Sequence, residues 1–159
     1  MNILFLCTGN SCRSILAEAV FNHLAPKGWH AMSAGSHPTG QVHPRTLSLL
    51  ARKGISTAGY YSESWDQLPM TPVVVITVCS SAAGETCPAY LGPVLRTNWA
   101  IDDPARATGS DAEIDAAFEK AYRVLRARIE AFLALPLGDL QKNLPGLKAE
   151  LDRIGTQVN

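Results

Sequence analysis

Residues 2–14 read NILFLCTGNSCRS, and this stretch decides the fold. The apolar run at 2–6 has the length of a short β-strand. Gly9 allows a tight loop after it, and apolar residues at helical spacing then predict a helix over about residues 12–24. A strand, a loop and a helix in this order are typical of the first unit of an α/β protein with a parallel sheet.

The loop of this unit, residues 7–14, combines residue types that hold and attack a tetrahedral oxyanion. Backbone N–H groups of a loop leading into a helix N-terminus converge on one point and favour negative charge there. Arg13 adds a planar fork of donors that matches two oxygens of such an anion. Cys7 would lie beneath these donors as a nucleophilic thiolate, with a hydrogen bond from Ser14 to its sulfur. The alternative is a buried core cysteine with a surface arginine nearby. The residues predicted to bind the oxyanion are Thr8, Gly9, Asn10, Ser11, Cys12, Arg13 and Ser14.

The composition indicates an ordinary globular protein. The chain has 159 residues and a formal net charge of zero at pH 7, so no basic excess points to nucleic acid. Its apolar runs are far shorter than the ~20 residues of a membrane span, and no secretory signal is visible. We therefore expect one cytoplasmic domain over residues 1–159, with 136–159 as a C-terminal extension, that binds neither nucleic acid nor membranes.

The four cysteines are expected to act as thiols, since stable structural disulfides are rare in a reducing compartment. Cys7 and Cys12 are five positions apart and Cys79 and Cys87 eight apart, which matches none of the usual paired zinc-ligand spacings. We therefore predict no metal centre, with zinc as the weaker alternative. Cys12 is expected to be mainly a packing residue, and a protective disulfide with Cys7 is the other interpretation.

Strands and helices alternate along the rest of the chain. Further strands are predicted at 29–33, 71–78 and 94–99, and further helices at 44–54, 111–133 and 146–154, the last packed on the surface. Residues 55–68 are harder to place and are predicted as a short extended piece and one helical turn. This alternation predicts a parallel sheet with helices on both faces and a binding crevice at the carboxyl ends of the strands.

Three reactive side chains follow three of the predicted strands. Cys7 follows the first strand, Cys79 the strand at 71–78, and Asp103 the strand at 94–99. Because the carboxyl ends of parallel strands meet at one edge of the sheet, we expect all three at the same rim. Asp103 would protonate a poor leaving oxygen, and a loop-capping role is the alternative for it or for Asp102.

The segment CSSAAGETC at 79–87 is small and polar, so it can rearrange without losing core packing. Two thiols joined by such a segment suit a relay of thiol–disulfide exchanges, in which Cys79 reaches Cys7 and Cys87 then reaches Cys79. The alternative is that both cysteines are merely small buried residues.

Together, CTGNSCRS at 7–14, VCSSAAGETCP at 78–88 and Asp-Asp-Pro at 102–104 resemble the thiol-dependent arsenate reductases, which are built on the low-molecular-weight tyrosine phosphatase fold. The resemblance covers about residues 1–135. It implies a three-layer α/β sandwich with a four-stranded parallel sheet. It also implies Cys7 as nucleophile, Arg13 and the loop amides as oxyanion cradle, and Asp103 as general acid. The potassium site of some relatives would correspond here to Asn10, Glu18 and Ser33, with Glu63 as the fourth partner.

The function implied by the resemblance is reduction of arsenate to arsenite, for arsenic detoxification, through Cys7, Cys79 and Cys87. We expect a monomer without a bound cofactor, which takes its electrons either from thioredoxin or from glutathione with glutaredoxin. A phosphotyrosine or phosphomonoester phosphatase is the alternative, and a non-catalytic oxyanion-binding module is a third. The phosphatases do not need Cys79, and they carry an aromatic residue after Asp-Pro where this chain has Ala105. Both features favour reduction.

Overall fold

Four parallel strands form the centre of the protein in a computed structural model that describes residues 1–79 and 94–159. They are β1 (Asn2–Cys7), β2 (His30–Gly35), β3 (Val74–Thr77) and β4 (Leu95–Asn98), in the order β2-β1-β3-β4. The predicted four-stranded parallel sheet is therefore confirmed. The strand order reverses between β1 and β3, and this is the point at which open α/β sheets form their binding crevice.

Strand β1 is buried on both faces, which explains its unbroken apolar sequence. Ile3, Phe5 and Cys7 face the larger core cluster, whereas Leu4 and Leu6 belong to a smaller cluster on the other face. Alternation along a strand sends successive side chains to opposite faces. Cys7 therefore ends the strand on the side of the larger core.

Five helices lie within the described residues: α1 (Arg13–Leu24), α2 (Pro44–Arg52), α3 (Asp111–Leu133), α4 (Leu137–Leu140) and α5 (Leu144–Gln157). Helix α2 begins at a proline, and the His43 side chain accepts the Arg45 amide at its N-terminus. Helix α3 begins with a capping box between Ser110 and Glu113, and its bounds agree with the predicted 111–133. None of these helices is long and apolar enough to span a bilayer.

The structure differs from the sequence-based expectation most clearly at β3 and at the C-terminal helices, where α4 was not predicted. Strand β3 is shorter than the predicted 71–78, and its later start agrees with Pro72, which has no N–H to give to a ladder. The last helix lies at the surface but is longer than the predicted 146–154, and its inner face buries Leu147, Leu151 and Ile154 in the larger core cluster. These three residues are spaced four and three apart, which gives the helix one apolar face. The segment 55–68 holds a single turn of 3-10 helix, Trp65–Gln67, as expected.

Candidate active site

The loop between β1 and α1 turns its carbonyl groups outward. Four amides of residues 36–43 donate to four loop carbonyls: Ser36 to Cys7 (3.3 Å), His37 to Thr8 (2.9 Å), Thr39 to Gly9 (3.0 Å) and His43 to Ser11 (3.0 Å). The C=O and N–H groups of a trans peptide point in opposite directions. The loop N–H groups therefore face the other way, and the Asn10 amide donates to Cys7 Sγ at 3.2 Å. This orientation turns the loop amides toward the side on which Cys7 Sγ lies, and oxyanion binding by them stays a prediction.

Asn10 holds the loop from within. Its side chain is fully buried and its φ of 47° lies in the left-handed region. Its Nδ2 group donates to Ser14 Oγ at 2.8 Å and to Ser33 Oγ at 2.9 Å, and its Oδ1 accepts the Glu63 amide at 2.8 Å. One side chain thus connects the loop to α1, β2 and the segment before Trp65.

Cys7 lies at the base of the cradle and is 3% exposed. Its Sγ is 2.9 Å from Ser14 Oγ. Since Ser14 Oγ already accepts a hydrogen bond from Asn10, its own proton is available to donate to the sulfur. The sulfur therefore has two donors, the Asn10 amide and the Ser14 hydroxyl.

Gly35 supports the loop from the neighbouring strand, a role that sequence reasoning missed. It is the β2 residue paired with Cys7. A Cβ atom at this position would lie 2.4 Å from the Thr8 carbonyl oxygen and 3.1 Å from Asn10 N, so only glycine fits beside the loop. A glycine at the end of a strand was the available signal.

Arg13 connects the loop to the ends of β3 and β4. It is 5% exposed, and its Nη1 donates to the carbonyls of Val78 (3.4 Å) and Ile101 (3.1 Å). Its Nη2 lies 3.7 Å from Asp103 Oδ2. Three of the predicted site residues, Cys7, Arg13 and Asp103, are therefore brought to one rim.

Asp103 also caps the turn that follows it. Its Oδ1 accepts the Ala105 amide at 3.0 Å, at the start of the 3-10 turn Pro104–Arg106. Asp103 therefore has the loop-capping role, which is the alternative to an acid role. Its other oxygen, Oδ2, faces Arg13. Asp102 is exposed.

Cys79 is fully buried at the end of β3, directly after Val78, whose amide donates to the Leu6 carbonyl at 3.0 Å. Cys79 is disulfide-bonded, whereas Cys7 and Cys12 are free thiols. Residues 80–93 are not among those described, so Cys87 and most of the predicted relay segment lie outside the described residues. The neighbouring positions of β1 and β3 place Cys7 and Cys79 at adjacent strand ends.

Cys12, at the N-terminus of α1, is 3% exposed. Burial raises the pKa of its thiol to about 11, against the opposing effect of hydrogen bonds from Ser11 and Thr46. The thiol is therefore neutral near pH 7, which agrees with a packing role.

A half-buried carboxyl group, that of Glu18, lies behind the loop. Ser33 Oγ donates to Glu18 Oε1 at 2.6 Å, and Ser33 in turn accepts from Asn10. Burial raises the pKa of Glu18 to about 7, and the charge of Glu63 adds to the rise. Over residues 1–79 and 94–159, no three His, Cys, Asp or Glu side chains form a group that could hold a metal ion.

Comparison with known proteins agrees with this geometry. The family model described as low molecular weight phosphotyrosine protein phosphatase matches residues 2–145. An arsenate reductase of Halalkalibacterium halodurans is 37% identical over 131 residues, which are 82% of this chain and 93% of that protein.

Two solved structures extend the comparison. An arsenate reductase from Archaeoglobus fulgidus has a TM-score of 0.65 at 26% identity and covers 80% of this chain and 98% of its own. A thioredoxin-dependent arsenate reductase of Corynebacterium glutamicum has a TM-score of 0.53 at 25% identity. The matched region is 81% of this chain and 61% of that protein.

Proposed function

This chain belongs to the low molecular weight phosphotyrosine protein phosphatase family, and we propose that it reduces arsenate to arsenite through a cysteine relay. Its similarity to arsenate reductases supports this activity. The observation that carries the proposal is the second cysteine. Cys79 follows β3 at the strand end next to Cys7, where a phosphatase would need no thiol.

In the first step the oxyanion binds to the loop amides and Arg13, and the Cys7 thiolate attacks arsenic. One As–O bond breaks as the S–As bond forms, and the oxygen leaves as water with a proton from Asp103. Asp103 Oδ2 lies 3.7 Å from Arg13 Nη2, so the acid reaches the rim of the cradle. Arsenic remains in the +5 state at this point.

In the second step the Cys79 thiolate attacks the sulfur of Cys7. The S–As bond breaks and its electron pair stays with arsenic, which leaves as arsenite in the +3 state, while Cys7 and Cys79 form a disulfide. Cys87 then attacks Cys79 and releases Cys7.

The electrons that reset the relay come from a dithiol protein of the thioredoxin type. The similarity to a thioredoxin-dependent arsenate reductase favours this donor over glutathione with glutaredoxin. No bound cofactor takes part, because the sulfur atoms carry both electrons.

A potassium ion behind the loop would find oxygen ligands of the kind that hard cations prefer in the Ser33 hydroxyl and the Glu18 carboxylate, and Asn10 would have to turn its amide, because its Nδ2 group now faces Ser33. Asn10, Ser33 and Glu18 are connected by hydrogen bonds, and Glu63 is joined to Asn10 through its amide. The ion would supply positive charge beside the Glu18 carboxylate. A higher melting temperature in KCl than in NaCl at equal ionic strength, lost in Glu18→Gln, would support the site. An equal melting temperature in the two salts would contradict it.

The activity is tested by adding arsenate, thioredoxin, thioredoxin reductase and NADPH to the reduced protein and following NADPH oxidation. Wild type should turn over, and Cys7→Ser should not. Cys79→Ser should release no arsenite in repeated turnover yet keep any hydrolysis of p-nitrophenyl phosphate, whereas Cys12→Ala serves as the matched cysteine control. Turnover only with glutathione and glutaredoxin would identify that pair, and not thioredoxin, as the electron donor. Phosphate-ester hydrolysis without arsenate-dependent NADPH oxidation would establish the phosphatase instead.

A further inference from the structure

The C-terminal helix α5 lies almost wholly beyond the matched family region, which ends at residue 145. It nevertheless packs directly on β4 and on Trp99. The Trp99 indole N–H donates to the Leu151 carbonyl at 3.0 Å, and Thr97 Oγ1 donates to Asp152 Oδ1 at 2.6 Å. A Cβ atom at Gly155 would lie 2.7 Å from Trp99 Cδ1, so α5 and the end of β4 are in close contact.

Trp99 begins a short segment that leads to the proposed general acid. We call residues 99–103 the acid segment. Trp99 is fully buried, and its ring packs 6.2 Å from the rings of Phe5 and Phe132. The Trp99 and Ile101 amides donate to the ends of β3, at the Thr77 and Val78 carbonyls. The start of the acid segment is thus fixed by the sheet, the core and α5.

Arg128 of α3 holds the next part of the acid segment and connects it to the C-terminal residues. It is 3% exposed, and burial lowers its pKa. Its Nη1 donates to the Ala100 carbonyl at 3.3 Å, its Nε to the Val158 carbonyl at 2.8 Å and its Nη2 to Asn159 Oδ1 at 3.2 Å. These three acceptors are neutral, so the bonds hold backbone and tail and do not form an ion pair.

Two arginines therefore hold consecutive carbonyls of the acid segment. Arg128 binds Ala100, and Arg13 of the oxyanion cradle binds Ile101 and faces Asp103. We propose that Arg128, supported by α5 and the residues that follow it, is a positioning residue that sets the distance of Asp103 from the cradle. This inference rests on the proposed function of Asp103 as the acid.

A merely structural role would lower stability and affect the whole site together. A positioning role predicts a narrower effect, because the loop amides of the cradle are held by Asn10 and residues 36–43, none of which Arg128 contacts in the described residues. Arg13 is also held by the Val78 carbonyl outside the acid segment, so it keeps one of its bonds when the segment moves. Oxyanion binding should then persist while the proton-transfer step slows. Displacement of a catalytic group by about 1 Å can reduce a rate by about 100-fold, so a partial displacement should be readily measured.

The test compares Arg128→Met with Arg126→Met, a matched control on the same helix. Arg126 bonds to Glu130 and Tyr122 on the surface of α3 and does not hold the acid segment. Three quantities are measured on the reduced, folded proteins: amide hydrogen exchange over residues 99–107, the dissociation constant of inorganic phosphate, and kcat for arsenate. Arg128→Lys is the second variant, which retains the charge if Arg128→Met does not fold.

For Arg128→Met we expect exchange over 99–107 to be at least about tenfold faster, phosphate binding to stay within about twofold, and kcat to fall by about tenfold. Arg128→Lys should lie between it and wild type, and Arg126→Met should match wild type. Unchanged exchange, unchanged kcat despite faster exchange, or a parallel loss of phosphate binding would each overturn the inference. A wild-type protein that does not reduce arsenate would overturn the proposed function instead, and the exchange measurement would then decide this inference by itself.

Discussion

Replacement of Asn10 by alanine should lower the free energy of unfolding by about 4 kcal/mol. The side chain makes three buried hydrogen bonds of 2.8–2.9 Å, and each contributes a net of about 1 kcal/mol. The φ of 47° adds about 1 kcal/mol, because asparagine tolerates the left-handed region better than alanine does. Such a loss is a large share of the roughly 5–15 kcal/mol by which most domains are stable.

Asn10→Gly separates the two contributions. Glycine also loses the three hydrogen bonds, but it adopts a positive φ without strain, so its cost should be smaller than that of alanine by about 1 kcal/mol. The assay is urea unfolding of the fully reduced proteins, followed by circular dichroism. A loss below about 1 kcal/mol for Asn10→Ala, or an equal loss for the two variants, would refute the reasoning.

Three further predictions concern other parts of the molecule. Gly35→Ala should weaken phosphate binding by at least about tenfold, because its Cβ would displace a loop carbonyl. Gly138 has open space around it, so Gly138→Ala should bind phosphate as wild type does. Equal binding by both variants would contradict this prediction. Cys12 should react with iodoacetamide far more slowly than a free cysteine at pH 7, and faster as the pH approaches 11. The labelling is followed by mass spectrometry, and rapid labelling of Cys12 at pH 7 would contradict its raised pKa. Burial raises the pKa of Asp152, but the hydrogen bonds from Thr97 and Lys148 and the charge of Lys148 together outweigh it, so the net pKa is lowered. The stabilisation by this carboxylate is complete above its ordinary pKa of about 4 and is lost as the pH falls through the lower folded pKa. On acidification, the melting temperature of Thr97→Val should therefore fall by less than that of wild type. An equal fall in the two proteins would refute this.

The sequence predicted those parts of the fold that local patterns specify. Helix α3 carries both a capping box at Ser110 and apolar residues at helical spacing, so its two ends were predictable. The meeting of Cys7, Arg13 and Asp103 was predictable as well, because the carboxyl ends of parallel strands share one edge of the sheet.

The contacts that build the cradle were not predictable in the same way. The amides of residues 36–43 that bind the loop carbonyls are backbone groups, so no side-chain pattern reveals which carbonyl each amide binds. The contact of Gly35 with Thr8 depends likewise on the tertiary structure. Helix α5 is a different case, because the charged residues indicated its exposed outer face and the spacing of Leu147, Leu151 and Ile154 showed an apolar face, but the core on which that face packs depends on the tertiary structure.

The packing of α5 beside β4 has a consequence for how copies of the chain would behave toward one another. In the sheet formed by residues 1–79 and 94–159, β4 is a terminal strand that pairs with β3. On its open side, Lys148 donates to the Arg96 carbonyl at 3.1 Å and Gly155 approaches the Asn98 carbonyl closely. A terminal strand without such cover offers its backbone to a strand of another molecule. Removal of α5 should therefore favour self-association, seen as earlier elution in gel filtration as the protein concentration rises.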